Sequence, residues 1–137
     1  MGLKPVYAYL DSCLVIYLIE EHPIFAPLLE NRIENTPNLI FVVSDLIEME
    51  CLVMPFRQSN QPLIKKFYDW FDQADVVPLR KEIFHQAAKL RADFPGLKTP
   101  DAIHLATAAY QQCHEFWTND HRLDKIAPNI VKNVLRN

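Results

Sequence analysis

The sequence predicts an α/β fold, a parallel sheet of four to five strands covered by helices on both faces. Short apolar, β-prone runs alternate with longer helix-like segments along the whole chain, the pattern of βαβ units. Only two glycines occur in 137 residues, too few for a loop-rich all-β fold. The length suits one domain over 1–137, because domains commonly hold ~100–150 residues.

Val6 to Leu10 forms the first strand, short and apolar, and Asp11 ends it. Leu14 to Glu20 continues as helix, so Asp11 sits at a strand-to-helix junction. His22-Pro23 breaks that helix, Ile24 to Glu34 forms a second, and Thr36-Pro37-Asn38 marks a turn. Leu39 to Val43 is a continuous apolar run, which predicts a strand buried on both faces. Ser44 follows as an N-cap with Asp45 and Glu48 near the helix start, and Pro55 should stop this helix at about Met54.

Ser59 to Phe71 is the next helix. Its Phe67, Trp70 and Phe71 recur at i, i+3, i+4, which points to core packing or a subunit interface ahead of base stacking. Val76-Val77, within Asp75 to Leu79, makes a short strand that Pro78 places at an edge or a strand end. Arg80 to Phe94 is helical and ends at Pro95-Gly96. The last helix runs from Thr99 to about Gln112, with Thr99 as N-cap and Pro100 at the first helical position. Asp101 then lies in the first turn, where the helix dipole favours negative charge. Glu115 to Thr118 forms a fourth strand, ending at Asn119-Asp120, and Ile130 to Leu135 a fifth.

Half the residues are hydrophobic and the mean hydropathy is -0.07, which excludes a disordered chain. A net charge of -3 excludes a protein coated in basic charge but leaves room for a local basic patch. Cys13, Cys51 and Cys113 are odd in number and scattered, as in a reducing compartment. The apolar run before Asp11 is too short for a signal peptide, and no stretch approaches the ~20 apolar residues of a membrane span. A cytoplasmic protein with no membrane partner is expected.

Chemistry gathers where the strands end. In an open parallel sheet, ligand sites form at the carboxyl ends of the strands near a switch in strand order. Asp11 and Asp120 each follow a strand, and Asp101 opens a helix that starts at the same edge. A fourth acid comes from the helix after Ser44. Glu48 and Glu50 point about 200° apart on a helix, so only one faces inward. Glu50 has Leu46 and Ile47 one turn before and Val53 and Met54 one turn after, which puts it inside the apolar face. Taken singly, each acid has an ordinary role as cap or turn residue. Taken together, four carboxylates with no evident cationic partner point to a hard divalent cation, Mg²⁺ or Mn²⁺. His104, at i+3 from Asp101, lies about 300° round and only marginally on that face, which favours a structural histidine.

The series Tyr9-Leu10-Asp11-Ser12, Ser44-Asp45-Leu46 with Glu50, Pro100-Asp101-Ala102-Ile103-His104-Leu105-Ala106, and Trp117-Thr118-Asn119-Asp120 resembles the PIN domain family. Within it, the likeness is to the VapC-like toxins of type II toxin–antitoxin systems. The resemblance covers nearly the whole chain and implies a PIN-like three-layer α/β/α fold and metal-dependent endoribonuclease activity. It carries the catalytic and metal-binding positions to Asp11, Glu50, Asp101 and Asp120, and supporting hydroxyl positions to Ser12 and Thr118. Cys13 departs from the family, where many members carry a polar residue such as Asn. The resemblance also implies an RNA substrate, a cognate antitoxin and a homodimer.

Substrate attraction then needs a local basic rim. Arg57, Lys65, Lys66, Arg80, Lys81, Arg91 and Lys98 are candidates, and Lys98, three residues before Asp101, is singled out for RNA binding. Two rivals are a catalytically silent PIN-fold module that binds RNA or protein, and another metal-dependent phosphoesterase. Asp11-Ser12-Cys13 lacks the second Asp that a haloacid-dehalogenase-type phosphatase needs.

Overall fold

The computed structural model describes residues 4–135. The element order is β1 (Val6–Leu10), α1 (Ser12–Ile19), α2 (Phe25–Glu34), β2 (Leu39–Ser44), α3 (Asp45–Arg57), α4 (Gln61–Gln73), β3 (Asp75–Val77), α5 (Lys81–Asp93), α6 (Thr99–Tyr110), β4 (Glu115–Thr118), a 3₁₀ turn (His121–Lys125) and β5 (Val131–Asn133). The five strands form one parallel sheet in the order β3-β2-β1-β4-β5. This is the predicted α/β/α architecture. The chain builds outward from β1 to β3, then returns to lay β4 and β5 on the other side of β1. Strand order therefore switches between β1 and β4.

Both faces of the sheet are covered, and the aromatic rings show by what. Successive strand residues face opposite ways. Tyr9 and Phe116 stack on one face, where Tyr9 meets His104 of α6. Trp117 lies on the other face against Phe41, which also meets Trp70 of α4, and the Arg32 guanidinium of α2 sits over the Trp117 ring. Phe67 and Phe71 are buried, so the aromatic repeat of α4 serves the core. Helix α5 packs chiefly against α6.

Three expectations need correction. Pro55 does not stop α3, which runs on to Arg57. A proline removes one N–H and crowds one carbonyl, a local penalty here set against the burial of Pro55 itself. The first half of β2 is not buried on both faces, and Ile40 is exposed. The reason is register: β3 has three residues and pairs only with Val42 to Ser44, which leaves the upstream part of β2 uncovered on that side. Thr99 is not the N-cap of α6. Lys98 holds that position without a side-chain bond, because the Thr99 hydroxyl accepts from Arg91 Nη1 at 2.9 Å while Arg91 Nε donates to Leu97 O.

Three helices end in the same way without glycine. Glu21, Ser59 and Gln112 have φ of 54, 51 and 56°. Each follows a helix and donates its N–H, as does the next residue, back into the last turn, the paired bonds of a Schellman end. A left-handed residue with a Cβ is strained, and glycine relieves that strain at some cost in unfolded-state entropy. Gln112→Gly is expected to stabilise the fold by about 0.5–1 kcal/mol in urea unfolding; a loss of stability would contradict the strain assigned to this end.

Candidate active site

At the carboxyl ends of β1 and β4 the sheet opens into a cavity of about 470 Å³. All four acids singled out in the sequence line it, together with Ser12, Cys13 and His104. Glu48 does not; it lies with Asp45 on a separate surface of α3, as the helical geometry requires.

Each acid is held by a different device. Asp11 extends β1 by one residue, its backbone N–H donating to Trp117 O at 3.0 Å, and it caps α1. Its Oδ1 accepts the Ser12 N–H at 2.9 Å and its Oδ2 accepts the Thr118 hydroxyl at 2.8 Å. Thr118 in turn accepts the Asp120 N–H at 3.0 Å, so one hydroxyl ties the ends of both strands together. Asp120 caps the 3₁₀ turn and is paired with Arg122, whose backbone N–H and Nε each lie 2.9 Å from Oδ1. That pairing lowers the Asp120 pKa below the usual carboxylate range.

Asp101 has no comparable partner. It is the third residue of α6, where the helix N-terminus offers positive potential and the Arg122 charge adds to it without a direct ion pair. Burial raises its pKa, and the charges of Asp11 and Asp120 raise it further. All three carboxylates line the one cavity.

Glu50 is met by histidine. His104 Nε2 lies 2.8 Å from Glu50 Oε1, and His104 Nδ1 lies 2.7 Å from the Tyr9 hydroxyl, itself 2.9 Å from Ser44 Oγ. The proton order along this chain follows from the donors available. A carboxylate only accepts, so Nε2 carries the proton. Burial pushes the Tyr9 phenol well above its ordinary pKa, and it keeps its proton. Among the described residues, Ser44 Oγ otherwise meets only the Ile47 N–H, which it accepts. Ser44 thus donates to Tyr9, Tyr9 to His104 Nδ1, and His104 Nε2 to Glu50, with every proton used.

Two expectations change here. The acids do have cationic or donor partners, in His104 for Glu50 and Arg122 for Asp120. Both were legible in part. An angle of 300° is also 60° the other way, and i,i+3 residues share a helix face; Arg122 follows Asp120 by two residues in a turn. Lys98 does not line this cavity but a neighbouring one, which it shares with Asp101 and Arg122. Burial pushes the Cys13 thiol up to about 12, with the nearby Asp11 charge acting in the same direction.

An all-oxygen carboxylate set is the donor chemistry that Mg²⁺ or Mn²⁺ takes. Among the described residues, no group of three or more His, Cys, Asp or Glu side chains is arranged so as to hold a metal ion. The donor type fits, then, while two of the four donors are engaged elsewhere.

The PIN domain family model matches residues 8–128. The chain belongs to the PIN domain family. None of the curated proteins compared matches it. Among solved structures, it is similar to a toxin–antitoxin complex from Klebsiella pneumoniae, with a TM-score of 0.74 and 22% identity over 91% of this chain and 96% of that one. It is also similar to VapBC-1 from nontypeable Haemophilus influenzae, with a TM-score of 0.77 and 15% identity over 96% and 100%. A third likeness is to VapC20 from Mycobacterium tuberculosis, described as a Sarcin-Ricin loop cleaving toxin, with a TM-score of 0.70 and 12% identity over 86% and 93%. At these identities the likeness is one of fold, and this PIN chain keeps nearly the full length of each.

Tyr9→Phe tests the proton order. It strips a donor from His104 Nδ1 and an acceptor from Ser44 in a buried place, at an expected cost of about 1–3 kcal/mol in urea unfolding. Long-range ¹⁵N–¹H spectra should show His104 as the Nε2–H tautomer in the wild type and a mixture in the variant. A wild-type Nδ1–H tautomer would reverse the chain.

Proposed function

We propose that this PIN domain is a divalent-metal-dependent endoribonuclease and the toxin of a toxin–antitoxin pair. The observation that carries the reading is the convergence of Asp11, Glu50, Asp101 and Asp120, from four separate segments, on one cavity at the strand switch point.

Asp11 and Asp101 are the proposed direct ligands of Mg²⁺ or Mn²⁺. Thr118 and the Ser12 N–H orient Asp11 but leave each oxygen a lone pair, and among the described residues Asp101 makes no ion pair. Glu50 and Asp120 act through water, at a second ion, or by orienting the attacking water. A bound divalent ion supplies a water of lowered pKa and offsets charge on the phosphodiester oxygens. His104 fixes the rotamer of Glu50, which no lysine or arginine among the described residues does. Arg122 is mostly exposed, so its guanidinium is open to a phosphate as well as to Asp120. Cleavage by an activated water leaves a 5′-phosphate.

A toxin with this activity requires restraint in its host. The similar structures include toxin–antitoxin complexes, which supports a cognate antitoxin for this chain, and a homodimer goes with the same resemblance. No helix among the described residues is long and apolar enough to cross a membrane. The cysteines are free, and an RNA substrate agrees with a cytoplasmic place.

Purified protein with Mn²⁺ or Mg²⁺ should cleave structured RNA, and EDTA should stop it. Asp11→Asn and Asp101→Asn are each expected to lower the rate by at least about 10²-fold. Mn²⁺ should raise the melting temperature of the wild type, by up to about 2.7 kcal/mol of stabilisation at 100 times Kd, and leave Asp101→Asn nearly unmoved. The pairing of Glu50 with His104 and of Asp120 with Arg122 gives weight to one rival, a silent RNA-binding module. Binding of RNA without cleavage, unchanged by Asp101→Asn and by metal, would decide for that rival. Turnover of a small phosphate ester with RNA left intact would decide for a phosphoesterase.

A further inference from the structure

A second cavity, of about 340 Å³, adjoins the acidic one and shares Asp101 and Arg122 with it. The connection between α5 and α6 supplies Phe94, Pro95 and Leu97, and the 3₁₀ turn with the residue after it supplies Leu123 and Ile126. Lys98 and Lys125 line it too, and among the described residues neither makes an ion pair. Phe94 is a large aromatic ring left 36% exposed at the end of α5. The lining is thus mostly apolar, with two ammonium groups outside any ion pair and the carboxylate of Asp93, directly beside the carboxylates assigned to the reaction.

We infer that this cavity is a nucleobase subsite, which takes the base of one nucleotide next to the phosphodiester bond to be cut. The inference rests on the ribonuclease reading and adds to it a determinant of base preference. Each nucleotide brings one flat aromatic ring and one negative charge. The cavity offers one exposed ring with apolar neighbours, and cations for the flanking phosphates. Lys98, Lys125 and Arg122 outnumber Asp93 and Asp101 in the lining by one charge, a surplus that a phosphate-bearing ligand meets and an apolar protein segment does not. The volume lies near the lower bound of about 300 Å³ for small-ligand pockets, which suits one base and no more. It also explains how a chain of net charge -3 holds RNA beside four carboxylates: Lys98 and Lys125 draw in the flanking phosphates while the ring holds the base.

Gly96 provides the cleanest test. It lines the cavity, and a Cβ added there meets no atom within 4 Å, so Gly96→Leu should fold and intrude on the site. The full chain is assayed for binding of tetraribonucleotides that differ at one position, in EDTA so that they stay uncut. Cleavage sites on a random-sequence RNA are mapped in parallel with Mn²⁺. The wild type should discriminate among the four bases at one position beside the cut. Gly96→Leu and Phe94→Ala should each weaken the favoured oligonucleotide about tenfold and flatten that discrimination, while Lys98→Ala weakens all four alike. If Phe94→Ala fails to fold, Gly96→Leu decides.

The subsite is overturned if the cavity variants weaken all four bases equally or not at all. It is also overturned if they retain RNA selectivity and lose an antitoxin peptide instead. Base-selective binding with no cleavage under any metal would sink the nuclease reading and leave the subsite standing. Absence of RNA binding would sink both.

Discussion

Like charge at one rim is the constraint that the rest of this structure answers. Parallel pairing of β1 with β4 brings Asp11 and Asp120 to the same edge, and α6 adds Asp101 there. Carboxylates brought together repel and resist losing water, so each needs a stabilising neighbour. Asp11 has a backbone N–H and the Thr118 hydroxyl, Asp120 has Arg122, and Glu50 has His104. Asp101, among the described residues, has no ion pair, and burial together with the charges of Asp11 and Asp120 raises its pKa. The least compensated acid is the one on which a bound cation has most to act.

The answer reaches deep into the core. Tyr9 is a fully buried strand residue, yet its hydroxyl links Ser44, the cap of α3, to His104 of α6. Glu50 is therefore oriented by three elements that share one chain of hydrogen bonds. Such a chain is stable only when every member is satisfied, and the proton order that satisfies all of them leaves the imidazole N–H on Glu50. Core packing and site geometry are here the same set of contacts.

Much of this was legible. The parallel α/β sheet, the edge position of the Val76-Val77 strand and the core role of Phe67 and Phe71 all follow from periodicity and punctuation. So does the choice of Glu50 over Glu48, because 200° of separation admits one inward residue. The misses share a cause. Pro55 inside α3, the exposed start of β2 and the lost Thr99 cap were each decided by a neighbour distant in sequence: the packing around Pro55, the shortness of β3, and Arg91. His104 reads as structural from sequence because distance along the chain says little about which side chain meets Glu50, 54 residues away, while Arg122 is absent from the candidate cations although it follows Asp120 by two residues.

By itself the sequence determined which residues carry charge, where strands and helices alternate, and that Asp11, Asp101 and Asp120 stand at element ends. Those are local properties, set by side-chain chemistry and by the short range of backbone preference. Only the tertiary structure decided that His104 meets Glu50 and that Asp101, among the described residues, has no ion pair. Pairing of Glu50 with His104 depends on a separation through space of a few ångströms, which exists only once α3 and α6 meet across the site. The same fold placed Lys98 in a second cavity, beside the acids and not among them.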